Sequence, residues 1–305
     1  MEILRLLSEI RTPILDTIAM IVTYLGSGIF FLALVCLLFW CVDKRYAYRL
    51  TYISVVSSVF IQGLKIVLKV PRPWVMDKDF EPVKGAKATA DGYSCPSGHS
   101  GQATALATTI SAETNSTVLK IICYVLMLMV IFSRMYLGVH TPLDVGIGFG
   151  ISLVVSVVIN YYTKNYELSD SLINKFNIFM VIVILATLGY TFYLWLTGFD
   201  AKLTDLSSCA GVCGLALGII VGRCIETKYI NFDEKAATLP MQVMKYAVGI
   251  VILALFHVGA KLIVGALFPE FIPAYFIYHF MDAMIAVCLY PVVIKKYFTN
   301  PYILK

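Results

Sequence analysis

Apolar residues along this chain come in long, nearly unbroken runs joined by short polar connections, residues 29–40 and 178–185 with their flanks being examples. A run of about 20 apolar residues matches the hydrocarbon thickness of a bilayer, so the pattern predicts membrane helices. Segments are expected at about 3–24, 27–42, 46–69, 98–113, 117–137, 141–163, 173–198, 205–223, 243–267 and 273–294. The first reads as an amphipathic or shallow interfacial helix, because Arg5, Arg11 and Asp16 interrupt it, and the rest as nine spans. No small-x-small cleavage site follows the first segment, so it is expected to stay on the protein. Segment 98–113 is short and rich in Ser, Gly, Thr and Gln, which suits a buried helix lining a site.

Composition agrees with the pattern. Of 305 residues, 59% are hydrophobic and 14% charged, too few charges to cover a soluble surface of this size. The net charge of +5 is mild, and no basic tract interleaved with aromatics suggests nucleic acid as a partner. Cys36, Cys41, Cys123, Cys209, Cys213, Cys224 and Cys288 fall in apolar segments and form no CxxC pair, and Cys95 alone falls in a loop. The fold class expected is all-α: a polytopic helical bundle with a core of about six helices and a C-terminal extension of about four. A polar stretch at 164–172 divides the expected domains, 1–163 and 164–305.

Sidedness follows from the basic residues of the short loops. Lys44, Arg45, Arg49, Lys120, Lys164, Lys175, Arg223, Lys228, Lys235, Lys245, Lys295, Lys296 and Lys305 fall on one side, expected to be cytoplasmic. Arg5, Arg11, Lys78, Lys84, Lys87 and Lys202 fall on the other, together with the long loop 70–93. Trp74, Phe80 and Tyr93 of that loop are expected to anchor it at the interface.

Three clusters share the outer side: Lys65 with Arg72-Pro73; Pro96-Ser97-Gly98-His99 opening a helix; and Ser133-Arg134 followed by His140 and Asp144. Cations cost on the order of 2.5–3.5 kcal/mol each in an apolar span, and a phosphate anion is a natural partner for three of them. The expected phosphate ligands are Lys65, Arg72 and Arg134, with the amides of Ser97 and Gly98 at a helix N-terminus. Lys65 and Arg72, two turns apart, are expected on one face of a helix end. Thr141-Pro142 reads as a cap and first helical residue, which turns Asp144 back toward His140. A carboxylate on one imidazole nitrogen makes the other a better nucleophile, and His99 is left to act as acid and base. With three cations in place, no metal or other cofactor is expected.

These motifs, Lys65-x6-Arg72-Pro73, Pro96-Ser97-Gly98-His99 and Ser133-Arg134-x5-His140-x3-Asp144, resemble the three signatures of the type 2 phosphatidic acid phosphatase superfamily, without departure, over about residues 25–163. The resemblance implies His140 as nucleophile, His99 as acid/base and Asp144 as the group orienting His140. It implies a lipid phosphate or pyrophosphate as substrate in the bilayer and an integral protein, expected in a bacterial plasma membrane with the site facing outward. Alternatives are a lipid phosphotransferase, a glucose-6-phosphatase-type sugar phosphatase and a non-catalytic lipid-phosphate binder or transporter. The oligomeric state is open. In the extension, His257 and Lys261, and His279 and Asp282, stand one turn apart, which suggests an interhelical ion pair or a second polar patch against a substrate headgroup.

Overall fold

The computed structural model describes residues 1–165, 170–199 and 201–299, with only the backbone for 164–165 and 170–174. Residues 166–169 of the polar stretch at 164–172 lie outside the described residues, as does Lys305. The described chain is all-α. Its helices are α1 (Glu2–Glu9), α2 (Pro13–Tyr24), α3 (Gly28–Leu37), α4 (Lys44–Leu68), the short α5 (Pro73–Met76), α6 (Gly98–Glu113), α7 (Thr117–Tyr136) and α8 (Pro142–Asn165). Then come α9 (Asp170–Thr197), α10 (Leu203–Ile225), α11 (Leu239–Leu267), α12 (Ile272–Met284) and α13 (Tyr290–Tyr297). The π-helical turns Leu38–Val42, Glu226–Ile230 and Ile285–Leu289 continue α3, α10 and α12.

Seven helices among the described residues are long and apolar enough to cross a membrane, or up to eight if the bent pair Pro13–Tyr24 and Gly28–Val42 is one span. This corrects the nine spans expected. Segment 98–113 does not qualify: α6 has only 16 residues and is polar, and it buries Ser100, Thr104, Thr108, Thr109 and Ser111 together with Ala103, Ala105 and Ala107. The first segment is not one helix either. It breaks before Thr12, whose side chain accepts from the Leu15 amide, and Pro13 starts α2. The four extension spans appear as expected, over Lys175–Thr197, Leu203–Ile230, Leu239–Leu267 and Ile272–Tyr297.

The chain divides into two compact units, but not at residue 163. The first holds Met1–Phe31, Tyr52–Ser169 and Gly198–Leu206; the second holds Leu32–Thr51, Asp170–Thr197 and Ser207–Lys305. Residues 32–51 therefore belong with the later helices and 198–206 with the earlier ones.

In the first unit, Ala103 and Ala107 of α6 pack with Cys123, Met127 and Val130 of α7, Phe149 of α8 and Val22 of α2. Small residues on α6 let its neighbours approach closely, which in lipid replaces a hydrophobic driving force. The loop 70–93 is tied down. Val83 and Ala86 pack on Ala19 and Leu137, the Val83 amide donates to Leu137 O (3.0 Å), and Arg5 pairs with Asp77 (2.6 Å). Phe80 and Tyr93 are buried within this unit rather than held at an interface, and Trp74 is partly buried beneath the Lys87 ammonium (5.8 Å).

In the second unit, Trp40 is fully buried against Tyr290 (4.8 Å between centroids) and donates from Nε1 to Ala286 O (2.9 Å). The Glu226 carboxylate, also buried, accepts from Lys44 Nζ (3.0 Å) and Tyr48 Oη (3.1 Å). A buried charge is tolerated only with such partners.

Candidate active site

Helix α4 ends at Leu68, where Lys69 takes a left-handed backbone (φ 51°) and turns the chain. Arg72 therefore does not sit on the α4 face beside Lys65; it caps the short α5, and the loop returns its side chain to the site. Four of its five N–H donors are already used. Nε donates to Gly92 O (3.1 Å), Nη2 to Asp91 O (2.5 Å), and Nη1 to Val139 O (3.0 Å) and toward His140 Nε2 (3.0 Å). Arg72 thus knits the loop 70–93 to the segment that carries His140, and it offers less bidentate capacity to a phosphate than its type alone suggests.

The contact with Arg72 defines the histidine. A guanidinium only donates, so His140 Nε2 accepts, and a neutral ring then carries its proton on Nδ1. Nδ1 lies 3.7 Å from Asp144 Oδ2, too long for a hydrogen bond but within ion-pair range. The Asp144 oxygen is occupied from elsewhere: it accepts from Ser94 Oγ (2.6 Å) and the Thr141 amide (2.7 Å). Thr141 Oγ1 in turn accepts from the Asp144 amide (3.3 Å), so the capping turn forms as expected. His140 and Asp144 are both buried. Burial, then Arg72, Arg134 and Lys65, hold the His140 pKa well below the ordinary histidine value, because each disfavours an imidazolium there.

Arg134, at the end of α7, is fully buried. Nη1 donates to Thr23 Oγ1 (2.8 Å) and Thr89 Oγ1 (3.0 Å), and Nη2 to Thr89 O (3.0 Å), while the buried Nε has no partner. Lys65 is buried within electrostatic reach of Arg72, Arg134, Asp144 and Asp205. The Ser97 amide, expected to face a phosphate, donates instead to Asp144 O (2.9 Å), and the Ser97 side chain caps the Ser100 amide (3.4 Å). The space where a Gly98 side chain would stand is open, so an anion can approach the Gly98 and His99 amides of the first turn of α6. His99 is partly buried and within electrostatic reach of His140. Cys95 is no rival nucleophile: burial, then the Asp144 charge, push its thiol up to about 11.

Four supporting residues were not foreseen from sequence: Thr23, Thr89, Ser94 and Asp205. Asp205, buried in the first turn of α10, takes the Tyr93 amide on both oxygens (2.9 and 3.0 Å). Gly92 (φ 68°) leaves the room, since a Cβ there would stand 2.2 Å from Asp205 Oδ1. An acidic residue opening an otherwise acid-free apolar helix was the available signal for Asp205. The three hydroxyl residues carried none, because Ser and Thr are common at helix ends and in loops.

The model of the PAP2 superfamily matches residues 46–167, and that of the PAP2 superfamily phosphatase transmembrane extension matches residues 210–300. The chain belongs to the PAP2 superfamily of membrane phosphatases. Among its relatives is mouse sphingosine-1-phosphate phosphatase 2, 32% identical over 167 residues, which cover 52% of this chain and 45% of the relative. The human sphingosine-1-phosphate phosphatase 2 is 26% identical over 251 residues, covering 76% of this chain and 61% of the relative. The chain therefore matches less than two thirds of the length of these relatives. Similar solved structures are those of Aquifex aeolicus LpxE (27% identity, TM-score 0.46, covering 53% of this chain and 94% of that one) and of the first transmembrane PAP2-type phosphatidylglycerolphosphate phosphatase from Bacillus subtilis (24% identity, TM-score 0.48, covering 55% and 86%).

Asp205 gives a direct test of how the loop is held. Asp205→Ala removes a charge-assisted bond of about 2 kcal/mol, so local opening of the loop is expected to rise about 30-fold. Trypsin cleavage at Lys78, Lys84 and Lys87 measures it, and an unchanged cleavage rate means that the carboxylate does not hold the loop.

Proposed function

We propose that this chain is a lipid phosphate phosphatase working by double displacement at His140, without a metal ion. The observation carrying this reading is the buried, neutral imidazole whose Nε2 meets Arg72 at 3.0 Å while Nδ1 faces Asp144. A phosphoryl group entering there displaces the Arg72 contact from Nε2 and meets three cations. In the first step the Nε2 lone pair attacks phosphorus, a P–N bond forms and the P–O ester bond breaks. Burial, then Arg134, Lys65 and Arg72, hold the His99 pKa well below the ordinary histidine value, so His99 takes up its proton when the phosphate anion offsets those cations; it then gives that proton to the leaving oxygen, and Asp144 stabilises the Nδ1–H of the now cationic phospho-imidazole. In the second step His99 takes a proton from water, the resulting hydroxide attacks phosphorus and the P–N bond breaks. Inorganic phosphate leaves, and His140 returns neutral with its proton on Nδ1. Lys65, the free Arg134 Nε and the Gly98 amide are the proposed phosphate donors, and Arg72 supplies charge and orientation. Ser97 supports the site by fixing the α6 start rather than by donating its amide.

The likeness to the two sphingosine-1-phosphate phosphatases makes a phosphate monoester on a long-chain amphiphile the first substrate to try. The distribution of lysines supports a site on the face away from the cytoplasm. Relatives from mouse and human widen the compartments from a bacterial plasma membrane to the membranes of organelles.

Phosphate release by the purified protein is the test, using sphingosine 1-phosphate, phosphatidic acid, phosphatidylglycerol phosphate, undecaprenyl pyrophosphate and glucose 6-phosphate. At least one lipid should be hydrolysed, and His140→Ala should lower that rate on the order of 10⁴-fold and abolish acid-labile labelling of the protein by a ³²P substrate. Binding without phosphate release by the wild type would make the site a binding pocket. Excess chelator should leave the rate unchanged at temperatures where the stripped protein stays folded, and loss of the rate there would remove the metal-free scheme. A third outcome concerns pH. His140 must be neutral to attack, and its depressed pKa puts the acid limb of kcat/KM below the ordinary value of about 6.5. Lys65→Gln removes one of the charges that depress it, so the limb should move up in pH; no movement would mean that His140 ionisation does not set it.

A further inference from the structure

The second unit holds a cluster that the phosphatase chemistry does not use. His257 comes from α11, and His279 and Asp282 come from one face of α12. His257 Nδ1 lies 2.8 Å and His279 Nδ1 3.3 Å from the same oxygen, Asp282 Oδ2, and one ligand atom from each residue falls within 4.8 Å of the others. Lys261, one turn beyond His257, is exposed and outside the cluster.

Three observations point beyond a pair of hydrogen bonds. First, the arrangement is lopsided: Oδ2 faces both imidazoles, while the buried Oδ1 has no partner. An orphaned acceptor in a buried residue calls for a partner that the protein does not supply. Second, both helices are candidate spans, with His257 and Asp282 each ten residues from the end where α11 meets α12, or about 15 Å along the axis. A carboxylate at that depth needs a positive charge, and no Lys or Arg forms an ion pair with it among the described residues. Third, the spacing suits a metal. Ligands on a tetrahedral zinc ion with bonds of about 2.0–2.1 Å stand about 3.4 Å apart, close to the His279–Asp282 separation of 3.3 Å, and a bound ion would part the hydrogen-bonded His257–Asp282 pair from its 2.8 Å. His279 is also fixed from behind: a Cβ on Gly211 of α10 would stand 2.3 Å from its Cδ2, so the glycine lets the helix seat the ring. Side-chain exposures of 40% for His257 and 26% for His279 leave the cluster open on one side, where an ion can enter and take a fourth ligand.

We propose that His257, His279 and Asp282 bind a divalent transition-metal ion of the zinc type, joining α11 to α12. Two imidazoles and one carboxylate favour zinc over magnesium or calcium, which prefer all-oxygen sites. The ion is structural or regulatory and takes no part in phosphoryl transfer at His140, so the two readings stand or fall separately.

The test uses the full-length protein in detergent, stripped with chelator and titrated with Zn²⁺ alone by calorimetry, and with Co²⁺ alone followed in the visible spectrum. One equivalent of Zn²⁺ should bind and raise the thermal midpoint, and Co²⁺ should give the intense d–d bands of a four- or five-coordinate site. His257→Ala and His279→Ala should each weaken binding by about 100-fold or more, whereas His140→Ala should bind as the wild type does. Asp282→Asn gives a near-isosteric check should either alanine variant fail to fold. Absence of saturable Zn²⁺ binding to the wild type, or binding that survives all three substitutions, overturns the site and leaves an interhelical His–Asp pair. Both readouts are independent of phosphatase activity.

Discussion

Burying three cations in a bundle of apolar helices is the constraint on which the first unit is organised. Lys65, Arg72 and Arg134 are each at least nine-tenths shielded from solvent, and no acid forms a direct ion pair with Arg72 or Arg134 among the described residues. The protein neutralises them weakly and hydrogen-bonds them strongly. Arg72 is held by three backbone carbonyls, and Arg134 by two threonine hydroxyls and a carbonyl. Carbonyl and hydroxyl oxygens satisfy the donors without cancelling the charge, so the positive potential remains available to an incoming anion. Carboxylates in those places would have stabilised the resting protein and competed with phosphate. Two of the acids that lie near, Asp144 and Asp205, are directed to other donors: Ser94 and the Thr141 amide for one, the Tyr93 amide for the other.

The same network explains why the loop 70–93 is ordered rather than a free lid. Arg72 binds Asp91 and Gly92 at the loop's far end, and Asp205 binds the next amide. Thr89 of the loop lies on Arg134 and the Val83 amide lies on Leu137, so the loop wraps the basic cluster and is held by it. Removing either arginine would therefore do two things at once, lowering the potential and loosening the loop. Lys65 is the cleaner probe of charge, because it carries no such crosslinks.

How much of this could be read from the sequence depended on whether a property is local. Helices from α6 onward follow their apolar runs closely, and the turn Thr141-Pro142 formed as its chemistry requires. Two readings failed for reasons of tertiary geometry. Two turns of helical spacing put Lys65 and Arg72 on one face only if the helix continues, and it stops at Leu68. A helix N-terminus offers its amides to a ligand only if the fold leaves them unused, and Asp144 O takes that of Ser97. The boundary at 163 follows chain order, and packing adds what chain order does not carry, since residues 32–51 group with the later helices. The residue types of the site were legible because few side chains tolerate such burial without a reason. The partners that tolerate them, Thr23, Thr89 and Ser94, were not, since hydroxyls leave no mark in a pattern of charge and hydropathy.

The second unit meets the same difficulty in the opposite way. Its buried acid Glu226 is matched by a cation, Lys44, and a hydroxyl, Tyr48, so little charge is left over and nothing invites a ligand. Asp282 is matched only by imidazoles, which are neutral unless protonated, and one of its oxygens is unmatched. A site in a membrane protein is recognisable by such a residue of uncompensated charge: positive around His140, negative at Asp282. The first calls for an anion that arrives, reacts and leaves, because its donors are already held by the protein. The second calls for a cation that stays, because its ligands have no other partner sufficient to hold them. On this argument the extension contributes stability through an ion, while the core keeps its own charge unspent for substrate.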